Sequence, residues 1–203
     1  MLALWAFVAI SFCYLARKSG PFPGDLAVTL FLQGFPASPL RVFAQGVSFL
    51  GAPTIAAATA LASAAGLWIA GRRTDGLIIA GTLLPDLLNQ GLKVLIDRPR
   101  PPEGLVQVWE LAGGGSFPSG HAFHAILFLG VAIFIVRRHT KNRWPKALLS
   151  LLFASLILLM GLSRIYLGVH WASDVLGGYL IGGLFLYLIL LFYPSDRSRI
   201  GEG

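Results

Sequence analysis

The stretch PSGHAFHAILFLGVAIFIVRR, residues 118–138, sets the fold class of this 203-residue chain. It opens with a proline, a small polar pair and a histidine, continues as an apolar run and ends on two arginines. An apolar run closed by fixed charges is typical of a helix that crosses a lipid bilayer. We therefore predict a membrane span from His121 to Val136, with a polar opening at one face and a basic end at the other.

The composition of the whole chain also indicates a membrane protein. Hydrophobic residues make up 56% and charged residues only 12%, with a mean hydropathy of +0.73, whereas a soluble domain carries about 25% charged residues. We predict one integral membrane domain over residues 1–203. The net charge of +7 does not indicate nucleic-acid binding, because no basic patch is interleaved with aromatic residues. Cys13 is the single cysteine, which excludes a disulfide within the chain.

Six apolar runs are candidate membrane spans. They cover Leu2–Ala16, Pro53–Ala70, Leu77–Ile96, His121–Val136, Ala147–Leu162 and Ala172–Tyr193. The first is short for a bilayer, which takes about 20 helical residues. We do not expect it to be a cleaved signal peptide, since it lacks a basic start and a small-residue cleavage site. Leu26–Leu32 is too short to span, and we expect it to lie along the membrane surface. The predicted fold is all-α: a six-transmembrane-helix bundle with a short interfacial helix between spans 1 and 2.

Positive charges orient the predicted bundle. With both termini inside, the inner loops and tail hold most of the basic residues, as the positive-inside rule requires of the cytoplasmic side. These are Arg72, Arg73, Arg137, Arg138, Lys141, Arg143, Lys146, Arg197 and Arg199. Arg17 and Lys18 would lie outside, against the rule. Three polar clusters then fall on the extracytoplasmic face, and the compact size suggests a bacterial inner membrane.

The first cluster lies before the sixth span. His170 and Asp174 are four residues apart, a spacing that puts two side chains on one face of a helix. A carboxylate that accepts from one imidazole nitrogen makes the other nitrogen a better nucleophile or base. Arg164, upstream, can donate two hydrogen bonds to one phosphate. The alternative is a histidine at a helix start that is satisfied by a local acid.

The second cluster, Pro118–His121, opens the fourth span. The free N–H groups of Ser119, Gly120 and His121 at a helix start can bind an anion, and glycine lets a phosphate approach the backbone. His121 is then placed to give a proton to a leaving oxygen. The alternative is an ordinary helix cap.

The third cluster closes the third span. Lys93 and Arg100 are seven residues apart, with prolines ending the helix between them, and both can neutralise a phosphate. The alternative is that Lys93 reaches to the membrane interface while Arg100 is solvated. Arg98 also precedes a proline, so the spacing alone does not choose between Arg98 and Arg100.

Taken together, the three clusters combine an anion clamp, a proton donor and an oriented nucleophile on one membrane face. This combination resembles the type-2 phosphatidic acid phosphatase superfamily, which also includes vanadium haloperoxidases. The family motifs are Lys-x6-Arg-Pro, here at 93–101, Pro-Ser-Gly-His at 118–121 and Ser-Arg-x5-His-x3-Asp at 163–174. The family pattern selects Arg100 over Arg98, and the composition excludes the soluble build of a haloperoxidase.

The resemblance implies metal-independent phosphoryl transfer with no cofactor. His170 would attack phosphorus and form a phosphohistidine, with Asp174 orienting its ring. His121 would protonate the leaving oxygen and then help to activate water. The phosphoryl oxygens would be held by Lys93, Arg100, Ser119, Gly120 and Arg164. Three cations would supply the charge stabilisation that Mg²⁺ often gives elsewhere.

Other polar or small residues in the spans have simpler explanations. His124 lies one turn after His121, but the nearby arginines would repel a zinc ion, so we expect no metal site. Asp86 would either support Lys93 or hydrogen-bond between helices, and we favour the second. The glycine pairs 177–178 and 182–183 predict close helix packing.

The expected substrate is a lipid phosphate that enters sideways from the bilayer. Among the substrates of similar enzymes, undecaprenyl diphosphate fits an extracytoplasmic site best. Phosphatidylglycerophosphate and phosphatidic acid are the alternatives, and a lipid phosphotransferase is a further one. A transporter is less favoured, because the sequence has no convincing internal repeat. We expect no nucleic acid and no obligate protein partner.

Overall fold

The computed structural model describes residues 1–35 and 37–194, without the side chain of Ala37. The predicted domain, residues 1–203, therefore extends past the described residues, and Arg197 and Arg199 lie outside them. Within the described residues the chain forms nine α-helices. They are α1 (Leu2–Lys18), α2 (Asp25–Gln33), α3 (Ala37–Leu50), α4 (Pro53–Ile69), α5 (Arg73–Gly81), α6 (Leu83–Ile96), α7 (Gly120–His139), α8 (Arg143–Tyr166) and α9 (Ala172–Leu191). The predicted all-α class is confirmed.

Three of these helices are long and apolar enough to cross a bilayer: α7, α8 and α9. A fourth crossing results if α3 and α4, which are bent by 55° at a short break, count as one. Helices α1 and α4 have 17 residues each, slightly short of the about 20 that a bilayer takes. The described residues thus show a membrane protein with three to four candidate spans, and the count of six remains a prediction.

The third predicted span, Leu77–Ile96, is divided into α5 and α6 at Thr82. Pro85 lacks the N–H that would bond to the carbonyl of Gly81, and its ring would clash with that carbonyl in a regular helix. The hydroxyl of Thr82 donates to the carbonyl of Ile79 at 2.7 Å and closes the first of the two helices. Thr82 itself keeps right-handed helical backbone angles (φ −64°, ψ −18°), so the break is limited to one residue.

The segment between the first two predicted spans contains two helices rather than one. The predicted surface helix Leu26–Leu32 is α2, and α3 follows it over Ala37–Leu50. We did not predict α3, because Arg41, Gln45 and Ser48 interrupt its apolar pattern. Helix α3 packs against α8 and brings Ser48 to the functional site.

The core of the fold is the packing of α7 against α9 and α8. A Cβ atom added to Gly178 would lie 2.6 Å from the carbonyl oxygen of Ser119, and one added to Gly182 would lie 2.8 Å from that of Phe123. The glycines of α9 therefore permit backbone contact with α7, as predicted from the glycine pairs. This contact places the start of α7 beside the start of α9, where two of the three polar clusters lie.

Candidate active site

A cavity of about 880 Å³ opens among α3, α4, α6, α7 and the connection 97–119. Six of the eight predicted site residues line it: Lys93, Arg100, Gly120, His121, Arg164 and His170. The other two, Ser119 and Asp174, are fully buried beside it. The structure thus brings residues from three separate parts of the sequence to one place.

His170 lies in the short connection between α8 and α9. Its Nε2 is 3.3 Å from Nη1 of Arg100, and its Nδ1 is 3.4 Å from the hydroxyl of Ser116. Burial lowers the pKa of His170 to about 3, so the ring is neutral near pH 7. Because the Arg100 guanidinium can only donate, Nε2 of this neutral imidazole carries the lone pair. That lone pair can attack phosphorus once Nη1 of Arg100 turns to a phosphoryl oxygen.

Asp174 has more hydrogen-bond partners than the four-residue spacing predicts. Its Oδ2 is 3.6 Å from Nδ1 of His170, whereas it accepts hydrogen bonds from the Ser116 hydroxyl and from the N–H of Trp171 at 2.8 Å. Its Oδ1 lies 2.5 Å from Nη1 of Arg98. Ser116 therefore bridges His170 and Asp174, and sequence spacing gave no indication of it.

Arg98 and Arg100 are separated by one residue but have different surroundings. Arg98 is buried outside the cavity lining, paired with Asp174 and with Asp25 at 3.0 Å. It also donates to the hydroxyl of Ser173 at 2.8 Å. Arg100 lines the cavity, in agreement with the register that the family motif selects.

Arg100 and Lys93 are held by carbonyls of one glycine-rich turn. Arg100 donates to Gly113 at 2.9 Å and Gly114 at 3.1 Å, and Lys93 donates to Gly115 at 3.1 Å. Arg100 also donates to the carbonyl of Val169 at 2.6 Å. Burial lowers the pKa of Arg100 below its ordinary value. The turn fixes both cations beside His170.

The start of α7 only partly matches its predicted role in anion binding. The N–H of Ser119 is not free, because it donates to the carbonyl of Asp174 at 3.0 Å. The Ser119 side chain is also shielded from the cavity. Gly120 and His121 line the cavity, and Nε2 of His121 is 3.1 Å from the carbonyl of Ser48.

Arg164 has a carboxylate partner that the sequence did not predict. Its Nη1 is 2.7 Å from Oε1 of Glu110 and also donates to the hydroxyl of Ser48. That hydroxyl donates to Oε2 of Glu110 at 2.9 Å. Glu110 is 54 residues from Arg164, in a connection without periodic pattern, so no local signal could have indicated the pair.

Asp86 and His124 form a second polar pair on the cavity wall. Nδ1 of His124 is 2.7 Å from Oδ2 of Asp86, which confirms the expected bond between helices, here α6 and α7. No group of three or more histidine, cysteine or acidic residues that could hold a metal ion occurs among residues 1–35 and 37–194.

Most of the remaining wall of the cavity is apolar. Its apolar side chains come from α3, α4 and α6, among them Phe49, Ala56, Ala57, Leu83 and Leu87, and the amide side chains of Gln45, Asn89 and Gln90 also line it. A cavity with cations at one part of its wall and hydrocarbon at another suits an amphiphile with a phosphorylated headgroup.

Comparisons with known proteins agree with this geometry. A model of the PAP2 superfamily matches residues 75–198. The chain is 34% identical over 146 residues to phosphatidylglycerophosphatase B of Bacillus subtilis, covering 71% of this chain and 70% of that protein. It is 34% identical over 88 residues to undecaprenyl-diphosphatase BcrC of the same organism, covering 43% of this chain and 39% of that protein.

A solved structure is similar over nearly the whole chain. The crystal structure of a transmembrane PAP2 type phosphatidylglycerolphosphate phosphatase from Bacillus subtilis superposes with a TM-score of 0.81 and 26% identity. The match covers 94% of each chain. The motif-bearing helices and the shorter helices before them are therefore shared with an integral membrane phosphatase.

Proposed function

The chain belongs to the PAP2 superfamily of membrane lipid phosphatases, and on that premise we propose that it removes the terminal phosphate of phosphatidylglycerophosphate. The observation that carries the proposal is one cavity in which a neutral histidine, three cations and a largely apolar wall meet. The relatives named for phosphatidylglycerophosphate match more of this chain than BcrC does, so this substrate now ranks above undecaprenyl diphosphate, our expectation from the sequence.

The first step is attack of Nε2 of His170 on phosphorus. A nitrogen–phosphorus bond forms while the bond from phosphorus to the lipid oxygen breaks, and His121 gives that oxygen a proton. Asp174, with Ser116, keeps the proton of His170 on Nδ1 so that the lone pair is on Nε2. The charge on the phosphoryl oxygens is stabilised by Lys93, Arg100 and Arg164.

The second step is hydrolysis of the phosphohistidine. His121, now neutral, accepts a proton from water, the water oxygen bonds to phosphorus, and the nitrogen–phosphorus bond breaks to release inorganic phosphate. Gly120 permits close approach of the phosphoryl group to the start of α7. Of the predicted phosphate ligands, Ser119 is the one we assign to support α7 rather than to touch phosphate, because its N–H donates to the carbonyl of Asp174 and Ser119 does not line the cavity.

The proposed membrane arrangement has six crossings: α1, α4, α5 continued by α6, α7, α8 and α9. The basic ends of α7 and α8 are then cytoplasmic, and the cavity opens at the extracytoplasmic face of a bacterial inner membrane. The apolar wall from α4 and α6 lets acyl chains remain in the bilayer while the headgroup reaches Arg100.

BcrC supports undecaprenyl diphosphate as a second candidate substrate, because its name states that activity and it shares 34% identity over 43% of this chain. A prenyl chain would lie against the same apolar wall as acyl chains. Direct assay decides between them.

The test is phosphate release by detergent-purified protein from phosphatidylglycerophosphate, phosphatidic acid and undecaprenyl diphosphate, with excess EDTA. We expect chelator-resistant release that is fastest with phosphatidylglycerophosphate and lost in His170→Asn. His139→Asn is the matched control, because His139 is at the opposite end of α7 and pairs with Asp75. Loss of activity with EDTA would contradict the metal-free mechanism, and faster release from undecaprenyl diphosphate would reverse the substrate order.

A further inference from the structure

The carboxylate of Glu110 occupies a donor of Arg164, a cavity residue that is proposed to bind the phosphoryl group. Its two oxygens accept from Nη1 of Arg164 and from the hydroxyl of Ser48, at 2.7 and 2.9 Å. Arginine binds the oxygens of carboxylates and phosphates with the same N–H groups. A phosphoryl group that uses Nη1 of Arg164 must therefore displace Glu110.

The two partners of this ion pair differ in exposure. The Arg164 side chain is 2% exposed, whereas the Glu110 side chain is 34% exposed. The backbone next to Glu110 is anchored, because the N–H of Trp109 donates to the carbonyl of Leu167 at 3.0 Å and its ring packs on Tyr166. Rotation of the Glu110 side chain can therefore release the buried Arg164 without movement of the connection.

Charge decides which anions can displace Glu110. A phosphomonoester carries close to two negative charges near pH 7, since its second pKa is about 6. A phosphodiester, the linkage in the ordinary phospholipids of a bilayer, carries one. We call Lys93, Arg100 and Arg164 the clamp. Coulomb attraction to the clamp scales with the charge of the anion. A phosphodiester therefore gains about as much attraction as the displaced carboxylate loses, whereas a phosphomonoester gains about twice as much.

We propose that Glu110 is a specificity-determining residue that admits dianionic phosphomonoesters to the clamp and excludes the monoanionic phosphodiesters of the surrounding membrane. Its return to Arg164 after turnover also favours release of inorganic phosphate. The inference about lipids rests on the proposed function, whereas the competition between Glu110 and a free anion does not.

The test uses Glu110→Gln, which keeps the shape of the side chain and removes its charge. Glu103→Gln is the matched control, because it removes the same charge from an exposed position of the same connection, outside the cavity lining. The thermal stability of purified protein is measured at pH 8 against increasing inorganic phosphate, the dianion, and dimethyl phosphate, the monoanionic diester. Neither measurement requires turnover, so failure of the proposed substrate assay leaves this test valid.

We expect the apparent Kd for inorganic phosphate to fall about tenfold in Glu110→Gln, equivalent to ~1.4 kcal/mol, and to stay unchanged in Glu103→Gln. Dimethyl phosphate should give a saturable stabilisation only in Glu110→Gln. Glu110→Asp, whose carboxylate reaches less far, should be intermediate and serves as the second variant if the glutamine variant does not fold.

Two results would overturn the proposal. An unchanged or higher Kd for phosphate in Glu110→Gln would mean that Glu110 only positions Arg164. Tighter phosphate binding without any gain for dimethyl phosphate would mean that Glu110 lowers the affinity for anions but does not select among them.

Discussion

Replacing Arg98 with methionine should destabilise the protein far more than the same replacement at Arg100. The Arg98 side chain is 0% exposed and pairs with two carboxylates, Asp25 at 3.0 Å and Asp174 at 2.5 Å. Removing one partner of a buried ion pair costs about 3–5 kcal/mol, because the remaining charge is left uncompensated. For a chain of this length each kcal/mol lowers Tm by roughly 2–4 °C, so we expect Arg98→Met to lower the apparent Tm by roughly 6–20 °C.

Arg100→Met is the paired variant with the opposite profile. Arg100 lines the cavity and donates to two exposed glycine carbonyls, so water can replace those two bonds. We expect an apparent Tm within a few degrees of wild type and a loss of kcat of about 100-fold, typical of removing one donor to a developing charge.

The assay is thermal unfolding in detergent followed by phosphate release at a temperature where both variants are folded. A further variant, Asp25→Asn in the Arg98→Met background, removes one of the two uncompensated carboxylates, and its cost should be smaller than the sum of the single substitutions. Equal Tm values for Arg98→Met and Arg100→Met would refute the reasoning, as would full activity of Arg100→Met.

Three further predictions follow from single contacts. Ser116→Ala removes the hydroxyl between His170 and Asp174 and should lower kcat about tenfold with little change in KM, whereas Ser150→Ala, on the distant part of α8, should change neither. Gly178→Ala places a Cβ 2.6 Å from the carbonyl of Ser119 and should cost about 1–3 kcal/mol, while Gly66→Ala, with nothing within 4 Å, should stabilise α4 by about 0.5–1 kcal/mol. Because the pKa of His170 is lowered to about 3, below about 6.5 in the unfolded chain, the unfolded chain binds more protons between these values. The contribution of neutral His170 to the free energy of unfolding is therefore complete above about pH 6.5 and falls as the pH drops. Between pH 7 and pH 5 the free energy of unfolding should fall by about 2 kcal/mol more in wild type than in His170→Asn. Equal losses in thermal scans would contradict the neutral state of His170.

The sequence predicted the parts of the site that are local in the chain. His170 and Asp174 are four residues apart on either side of the start of α9, and Pro118–His121 lies at the start of α7, so spacing and helix chemistry were sufficient to indicate them as candidates. Lys93 and Arg100 required the family motif, because Arg98 offered the same local pattern. The structure gives the physical reason for the choice, since Arg98 is enclosed by carboxylates while Arg100 lines the cavity.

The contacts that support these residues could not be predicted in the same way. Asp25 belongs to no motif, and it accepts a hydrogen bond from the hydroxyl of Ser173, 148 residues away in the sequence. Ser116 and Asp174 are 58 residues apart, and Ser48 reaches Arg164 from a helix that was not predicted at all. Such partners depend on how helices pack, and a single serine or glutamate in a connection has no periodicity to reveal it. The division of the third predicted span at Thr82 was foreseeable from Pro85, whose effect on a helix is local.

The hydrogen bond from Ser119 to the carbonyl of Asp174 has a practical consequence for protein engineering. It joins the starts of α7 and α9. The chain that forms α7 and α8 therefore begins and ends at the same end of the helix bundle. The turn at the opposite end of α7, residues 140–142, contributes nothing to the cavity lining, and Lys141 and Asn142 are exposed. An affinity tag or a fluorescent protein inserted in this turn would therefore be attached about one helix length, roughly 30 Å, from the reacting atoms. The same separation makes this turn a suitable attachment point for tethering the enzyme to a surface without restricting the end that receives lipid.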